Sequence, residues 1–452
     1  MPQINRRNLL AGTGAILGAA GSGGSAFAKT KPFSVGVVGA GWFGKIDSQA
    51  LMQVAPVDFI AYADPDSNML AEAGEQASNL PKAVRKLAKP PALYKNYKDM
   101  FAEHDFDIVI IDTPDHWHAL PMIEAVSKGA HIYLQKPIGV DIAEGEAMVA
   151  AAKKSGKVVQ VGLQRRSQPH LIEAKKSIIG SGMMGDIALA EVFCYFHQRS
   201  GPFGEITTPP DNLDWELYNG PAPEVAYRPG IHPDDWRSFL AFGSGYMGDV
   251  GVHFVDATRW LLDLGWPKQV YSAGGAFVDP DSPATTPDTQ VATFQFDDLT
   301  MTWTNRVWGG PAKRGQPWGS AIHGENGSLW VAVDGFEYVP RDESIEPTRV
   351  AAYSDAKDFP HESSMQEWEQ LTNTTNRTHM ANFVNAIRTK AQPASPIEEG
   401  HISTSVCHMS NMSLKLGRAL NVDPATGQFV DDEEATGLRM RPYRAPYKHP
   451  AV

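Results

Sequence analysis

Cysteine is nearly absent: Cys194 and Cys407 are the only two in 452 residues. Two thiols cannot build a disulfide framework, and with no C-x-x-C or metal-type spacing beside either one, both are expected as buried thiols. Long apolar runs are also missing. Beyond the N-terminus none approaches the eighteen or so residues that a membrane span needs. Positive charge is scarce, with 40 Lys and Arg against 52 Asp and Glu for a net charge of -12. Without a basic block, neither a phosphate backbone nor an anionic lipid surface finds an electrostatic partner, so nucleic acid and membrane are excluded as expected partners. Internal repeats and low-complexity segments are absent too. A chain with 42% hydrophobic and 20% charged residues is an ordinary folded protein, and its length exceeds what one hydrophobic core usually serves.

The N-terminus reads separately from the rest. Arg6-Arg7 precedes Asn8-Leu9-Leu10, a mildly apolar, glycine-rich stretch follows, and Ala26-Phe27-Ala28 closes it. A charged start, a short apolar middle and an A-x-A end are the layout of a removable signal peptide over residues 1–28, and paired arginines point to the twin-arginine route. The alternative is an N-terminal arm with a chance Arg-Arg. The signal reading places the mature protein in the periplasm or otherwise outside the cytoplasm.

From Phe33 the pattern is strand, glycine turn, helix. Apolar runs at Phe33 to Val38, Val57 to Ala63, Ile108 to Ile111, Ile132 to Leu134 and Val158 to Val161 alternate with helix-like stretches, notably Pro121 to Lys128 and Ile142 to Lys154. This alternation builds a doubly wound parallel sheet, expected over residues 32–164. Residues 165–425 are expected as an α+β domain on a largely antiparallel open sheet. There Val291 to Phe296 and Met301 to Thr304 flank Asp297-Asp298 as a hairpin, and Ile322 to Val333 reads as another around Gly324 to Gly327. A helix from Val252 to Leu262 and late helices at about His379 to Ile387 and Thr404 to Leu420 complete it. Residues 426–452 form an irregular C-terminal tail.

Gly39-Ala40-Gly41-Trp42-Phe43-Gly44 follows the first strand and opens a helix. In such a fingerprint the first glycine permits the tight turn, the second lets backbone approach a pyrophosphate, and the third packs helix on strand. Asp64, twenty residues beyond Gly44, ends the second strand. A carboxylate there accepts ribose hydroxyls and repels a 2'-phosphate, and with no arginine in Pro65-Asp66-Ser67, NAD is favoured over NADP. Thr113 to His118 and Leu134-Gln135-Lys136-Pro137 leave the next strands at their carboxyl ends, the edge where open α/β sheets bind ligands. Lys136 there reads either as an ammonium over the cofactor or as a surface lysine, and His116 and His118 as site or loop residues. A second cluster, Asp249, His253 and Asp256, falls at i, i+4 and i+7, on one face if a helix spans it. A histidine oriented by a carboxylate serves as general base. A metal site and a capping role are the rivals, and no metal is expected because no further cluster supplies ligands. Among the tryptophans, which serve as core filler or as platforms for sugar rings, Trp236 beside Arg237 is the candidate platform.

These motifs together resemble the glucose-fructose oxidoreductase, inositol dehydrogenase and MocA (Gfo/Idh/MocA) family, and the likeness runs over nearly all of the mature chain. Gln135-Lys136-Pro137 resembles the family's Glu-Lys-Pro with Gln for Glu, Thr113-Pro114-Asp115 with His118 resembles its T-P-N-x-x-H loop with Asp for Asn, and Asp249-Val250-Gly251-Val252-His253 resembles its D-x-G-x-H motif. Pro114 to Ala119, Asn212 to Trp215 and Trp236-Arg237 further resemble a large exported, twin-arginine branch. The resemblance implies an oxidoreductase acting on a secondary hydroxyl of a sugar or glycoside, with Lys136, Asp249 and His253 catalytic. It implies a cofactor site of Gly39, Gly41, Trp42, Phe43, Gly44, Asp64, Thr113, Pro114, His118, Lys136 and Gln164. Lys136, Arg166, Trp236, Arg237, Asp249 and His253 are the implied substrate site, and a homo-oligomer is the expected assembly. A carboxylate is missing beside Lys136, which bears on that lysine's protonation and hence on rate. Two alternatives stay open: a redox-neutral NAD-dependent glycosidase, and a sugar-binding protein without turnover, against which the retained Lys136, Asp249 and His253 argue. Outside the cytoplasm little free NAD is at hand, so a retained cofactor is the further expectation.

Overall fold

A computed structural model of the chain describes residues 31–79, 87–195, 201–309, 316–362 and 364–451. The expected signal peptide lies outside them. Six parallel strands open the fold: β1 (Phe33–Val38), β2 (Val57–Ala63), β3 (Ala92–Tyr94), β4 (Ile108–Ile111), β5 (His131–Leu134) and β6 (Val159–Val161). Their order, β3-β2-β1-β4-β5-β6, is that of a dinucleotide-binding Rossmann sheet. Between them run α1 (Trp42–Val54), α2 (Ser67–Ser78), α3 (Tyr97–Glu103), α4 (Ala119–Ser127) and α5 (Ile142–Ser155). Helices on both faces explain why the central strands are continuous apolar runs: all four residues of β4 are buried, as a parallel strand covered on both sides requires. Local chemistry sets the helix ends. The Asp66 side chain caps α2 by accepting from the Asn68 and Met69 amides, and α5 begins on Asp141 and stops at Gly156, whose φ is +65°.

The second sheet has nine strands: β7 (Ile187–Cys194), β8 (Gln269–Gly275), β9 (Thr289–Gln295), β10 (Thr300–Arg306), β11 (Trp318–Gly324), β12 (Gly327–Ala332), β13 (Gly335–Pro340), β14 (Thr348–Ala351) and β15 (Leu420–Asn421). Their order is β14-β13-β12-β11-β7-β10-β9-β8-β15, and only β7 with β10 pairs in parallel. Strands β9 and β10 alternate buried and partly open residues, the pattern of a sheet with one packed face. The helix α6 (Val252–Leu261) lies on that packed face, with Phe254, Val255 and Ala257 fully buried.

Two late helices, α7 (Glu367–Thr389) and α8 (Ile397–Leu416), tie the two sheets together. Helix α7 packs on α1, and α8 packs on both α5 and β8. Both are longer at their N-terminal ends than apolar periodicity indicates. The added turns of α7 are held by polar burial: Arg377 lies between Asp355 and Glu362, and Thr374 donates to Asp355 at 2.6 Å. Cys194 and Cys407 are both buried. The C-terminal segment, expected as an irregular tail, contains a short helix at Glu433–Gly437 and packs against the Rossmann domain. Within it Tyr443 donates to Glu144, and His449 lies 3.0 Å from Asp141, pinning the start of α5.

Candidate active site

A cleft runs along the carboxyl edge of the Rossmann sheet, between the glycine turn and the second domain, and encloses about 1120 Å³ of non-protein space, open solvent included. The three glycines of the turn each do something different. Gly39 has φ +95°, and a Cβ there would stand 2.5 Å from the Asp112 backbone; a Cβ on Gly44 would stand 1.9 Å from the Gly39 carbonyl. These two allow the turn and the helix packing. Around Gly41 nothing lies within 4 Å of where a Cβ would be, so the backbone there faces open space. Helix α1 has no side-chain cap and no acidic residue in its first turn, which leaves its N–H groups and dipole for an anion. These features fit a dinucleotide pyrophosphate. Trp42, Phe43, Asp64, Thr113 and Pro114 all line the cleft. The Asp64 oxygens accept the amides of Ala40 at 2.7 Å and Asp66 at 2.8 Å. Burial raises its carboxyl above its ordinary value, the two amides pulling the other way.

A loop of the second domain closes over this end of the cleft. Asn212 O accepts from Ser67 N at 2.9 Å, Asp214 N donates to Pro65 O at 3.0 Å, and Leu213 forms a bridge with Asp66. The Asp66 carboxylate receives Asn212 Nδ2 at 2.8 Å and His232 Nε2 at 2.8 Å. Lys95 pairs with Asp214 at 2.5 Å from the Rossmann side. His232, Tyr218 and Leu217 thereby become cleft wall.

At the other end stands Lys136, buried at the tip of β5. Its Nζ donates to Asp249 Oδ1 at 2.8 Å and to the Asp249 carbonyl at 2.9 Å. Asp249 lies in a wide helical turn, Met247–Gly251, that feeds α6. Such a turn breaks the regular hydrogen-bond ladder and re-aims its groups. Arg237 Nε approaches the same Oδ1 at 3.3 Å, while its guanidinium lies 4.4 Å over the Trp236 ring. Burial alone would raise the Asp249 carboxyl, but Lys136 and Arg237 outweigh it and hold it well below the usual carboxylate range. His253, one helical turn on, is buried against the edge of Trp318. Burial and the charges of Lys136 and Arg165 push its imidazole well down, and its Nδ1 has no partner among the described residues.

The structure corrects several expectations. Asp256 does not share a site with Asp249 and His253. It is fully buried and takes Arg166 in a two-pronged ion pair at 2.7 and 2.8 Å, with Ser403 at 2.7 Å. The segment carrying Asp249 is the wide turn Met247–Gly251 and does not continue the α-helical face of α6. Arg166, whose second partner is Glu399 at 3.1 Å, therefore joins α6 to α8 and is not part of the cleft wall. Gln164 is buried 3.5 Å from Asn376 and is not part of the cleft wall. His118 stands behind the cleft, its ring spanning the carbonyls of Pro137 at 2.8 Å and Thr113 at 2.9 Å. Burial lowers it to about 4, the two carbonyls pulling the other way. It positions the two loops and touches no ligand space.

Asp115 is the residue the sequence reading passed over. It stands in the cleft wall with Trp236 and Arg237, and only 4% of its surface is exposed. The signal was present in Thr113-Pro114-Asp115, but spacing alone does not separate a wall residue from a neighbouring loop residue. Gln135, in place of the family's glutamate, donates to Asp47 at 2.7 Å. Burial lifts that aspartate to about 7.

A Rossmann sheet with a glycine-turn cleft, closed by an α+β domain whose Asp249 meets the Rossmann domain's Lys136 at the inner end, defines a dinucleotide-dependent oxidoreductase class. Family comparison agrees. Residues 33–163 match the oxidoreductase family model for the NAD-binding Rossmann fold, residues 172–330 match the GFO/IDH/MocA C-terminal domain, and residues 350–449 match the family's C-terminal alpha/beta domain. The chain belongs to the Gfo/Idh/MocA oxidoreductase family. It is 28% identical over 229 residues to levoglucosan dehydrogenase of Pseudarthrobacter phenanthrenivorans, covering 51% of each chain. It is 26% identical over 180 residues to a glycosyl hydrolase family 109 protein of Shewanella baltica, covering 38% of this chain and 37% of that one. The chain thus spans about half or less of these curated relatives. A solved structure of levoglucosan dehydrogenase with NADH and L-sorbose superposes with a TM-score of 0.65 at 18% identity, over 87% of this chain and 100% of that one, a likeness of fold.

Proposed function

We propose that the protein oxidises a secondary hydroxyl of a sugar or glycoside after export by the twin-arginine route, using NAD that it keeps bound and that is restored in the same site by reducing a second sugar. The observation that carries the reading is the Lys136–Asp249 contact of 2.8 Å at the inner end of the glycine-turn cleft. It sets an ammonium, a carboxylate and, behind them, an imidazole where cleft and second domain meet. Bound nicotinamide supplies the hydride acceptor, held by the glycine turn, the N-terminus of α1 and Asp64.

The chain's own residues supply the rest. Lys136 spends two of its three N–H groups on Asp249. The third faces the substrate alcohol and stabilises its oxygen as the proton leaves. Asp249, kept ionised, holds Lys136 in place. His253, kept neutral by burial, takes the hydroxyl proton. A base so placed contributes on the order of 10² to 10⁴ in rate. Trp236, with one face under Arg237, offers an apolar wall for a sugar ring.

Redox-neutral glycoside cleavage is the second reading, favoured by the family 109 relative. Oxidation beside a C–H makes that proton acidic, elimination expels the glycosidic substituent, water adds, and the ketone is reduced again. Incubating mature protein with candidate sugars and aryl glycosides separates the readings. A ketosugar supports the dehydrogenase, a free phenol with no net ketone supports cleavage, and neither product from any probe removes both.

A further inference from the structure

Hydrogen-bonding capacity at the inner end of the cleft is unevenly spent. Asp249 is engaged by Lys136 and by Arg237. Arg237 also gives one N–H to the Asp234 carbonyl at 2.9 Å. Asp115 is different. No described group donates to either of its carboxyl oxygens, and no cation stands within ion-pair distance, although the side chain is buried in the cleft wall. Its oxygens are open to the cleft rather than sealed from it, so the carboxyl is free to take a ligand there. Its surroundings belong to the substrate side of the cleft. A Cβ at Gly243 would meet Asp115 Oδ2 at 3.2 Å and the Trp236 ring at 3.1 Å, so glycine at 243 lets carboxyl and indole sit side by side. Lys136 is the strongest charge acting on Asp115. Burial nonetheless pushes the Asp115 carboxyl well above its usual range, which suits a group able both to accept and to donate.

We propose that Asp115 is a substrate-binding residue that holds a second hydroxyl, adjacent to the one engaged by Lys136, so that the site selects vicinal diols over mono-ols. This rests on the sugar oxidoreductase reading above. A hydroxyl on Lys136 and its neighbour on Asp115 would use the free N–H and the free carboxyl together, with the ring against Trp236. Sites built to bond a hydroxyl reject analogues lacking it far more strongly than apolar pockets reject a missing methylene, because the buried partner is left bare.

The test compares wild type, Asp115→Ala and Asp115→Asn, each supplied with NAD, on D-glucose, levoglucosan and myo-inositol and on their monodeoxy counterparts. The ketone formed identifies the oxidised carbon, and NADH fluorescence on binding reports an intact cofactor cleft. Wild type is expected to prefer the parent over the analogue lacking the neighbouring hydroxyl by about 100-fold or more in kcat/KM. Asp115→Ala should lose most of that preference, mainly through KM on the parent, and should bind NADH as before. Asp115→Asn, which keeps an acceptor and a donor, should recover part of it and covers the case in which the alanine variant does not fold. An unchanged preference in both variants overturns the assignment of Asp115 while leaving the oxidoreductase reading in place. A wild type that binds NADH but oxidises none of the probes overturns that reading, and this one with it.

Discussion

Lys136 and Asp249, 113 residues apart and on different domains, are joined twice, through the Asp249 carboxylate and through its backbone carbonyl. The double contact fixes both the lysine and the wide turn that carries Asp249. Lys136→Ala is expected to lower turnover by about 100-fold or more and to lower the melting temperature, because Asp249 keeps only Arg237 as a partner, while the protein still folds and binds NAD. Steady-state rates on the best sugar, with a melting curve alongside, check this. Activity within a few fold of wild type takes Lys136 out of the reaction.

His253→Ala should cost turnover strongly and leave cofactor affinity nearly intact, since the glycine turn lies in the other domain. The pH profile adds a sharper criterion. A histidine whose value is lowered on folding takes up no second proton until the pH falls well below 6.5, so its base form persists through the neutral range. From pH 8 down to pH 6, kcat/KM should therefore show no limb near 6.5. A limb there, abolished in His253→Ala, would mean that the imidazole titrates as an exposed group does.

Much of this was legible because it follows from local rules. The glycine turn declares itself by spacing, and β4 and β9 by burial pattern, a continuous run in the covered parallel sheet and alternation in the one-sided sheet. Other features depend on side chains that only the fold brings together. Glu367 to Thr378 reads as polar, yet Thr374 and Arg377 are buried there because Asp355, with Glu362 for the arginine, bonds them from the segment that leads into the helix. Arg166 looked like a substrate group for the same reason: its partners Asp256 and Glu399 are remote in sequence. Asp249 and His253 stand out by their motif, but the wide turn that carries Asp249 has no sequence period.

Asp64→Ala should weaken NAD and narrow its advantage over NADP, because the carboxylate lines the cleft at the end of β2 and faces where a 2'-phosphate would sit. The variant also removes the acceptor for the Ala40 amide within the glycine turn. Asp64→Asn, which keeps an acceptor without charge, separates the two effects. The alanine variant should lose affinity for both dinucleotides, whereas the asparagine variant should mainly shift the ratio. Dissociation constants for both cofactors decide it, and an unchanged ratio in both variants rejects Asp64 as the ribose group.

Retention of the cofactor is the prediction with the widest consequence. The loop of the second domain that covers the cleft is fastened to the Rossmann domain by Asn212 and His232 on Asp66 and by Asp214 on Lys95. A dinucleotide beneath it leaves only when that loop lifts. Hydrogen bonds to a charged group contribute about 1.5 to 3 kcal/mol each, which is about tenfold to more than a hundredfold in a rate that requires breaking one. Asp66 itself caps α2, so its removal would disturb the helix as well. His232→Ala and Asn212→Ala are the cleaner variants. Mature wild type, purified and denatured, should release close to one dinucleotide per chain, and adding a sugar without exogenous NAD should produce at most a single turnover of reduced nicotinamide signal. Both variants should lose cofactor on prolonged dialysis at least about tenfold faster and regain activity when NAD is added. Retention of this kind would make export of the folded, loaded protein chemically sensible, because the site would not depend on an external NAD pool. Wild type that arrives empty and releases one NADH per sugar only when NAD is supplied would instead establish a conventional dehydrogenase with a freely exchanging cofactor.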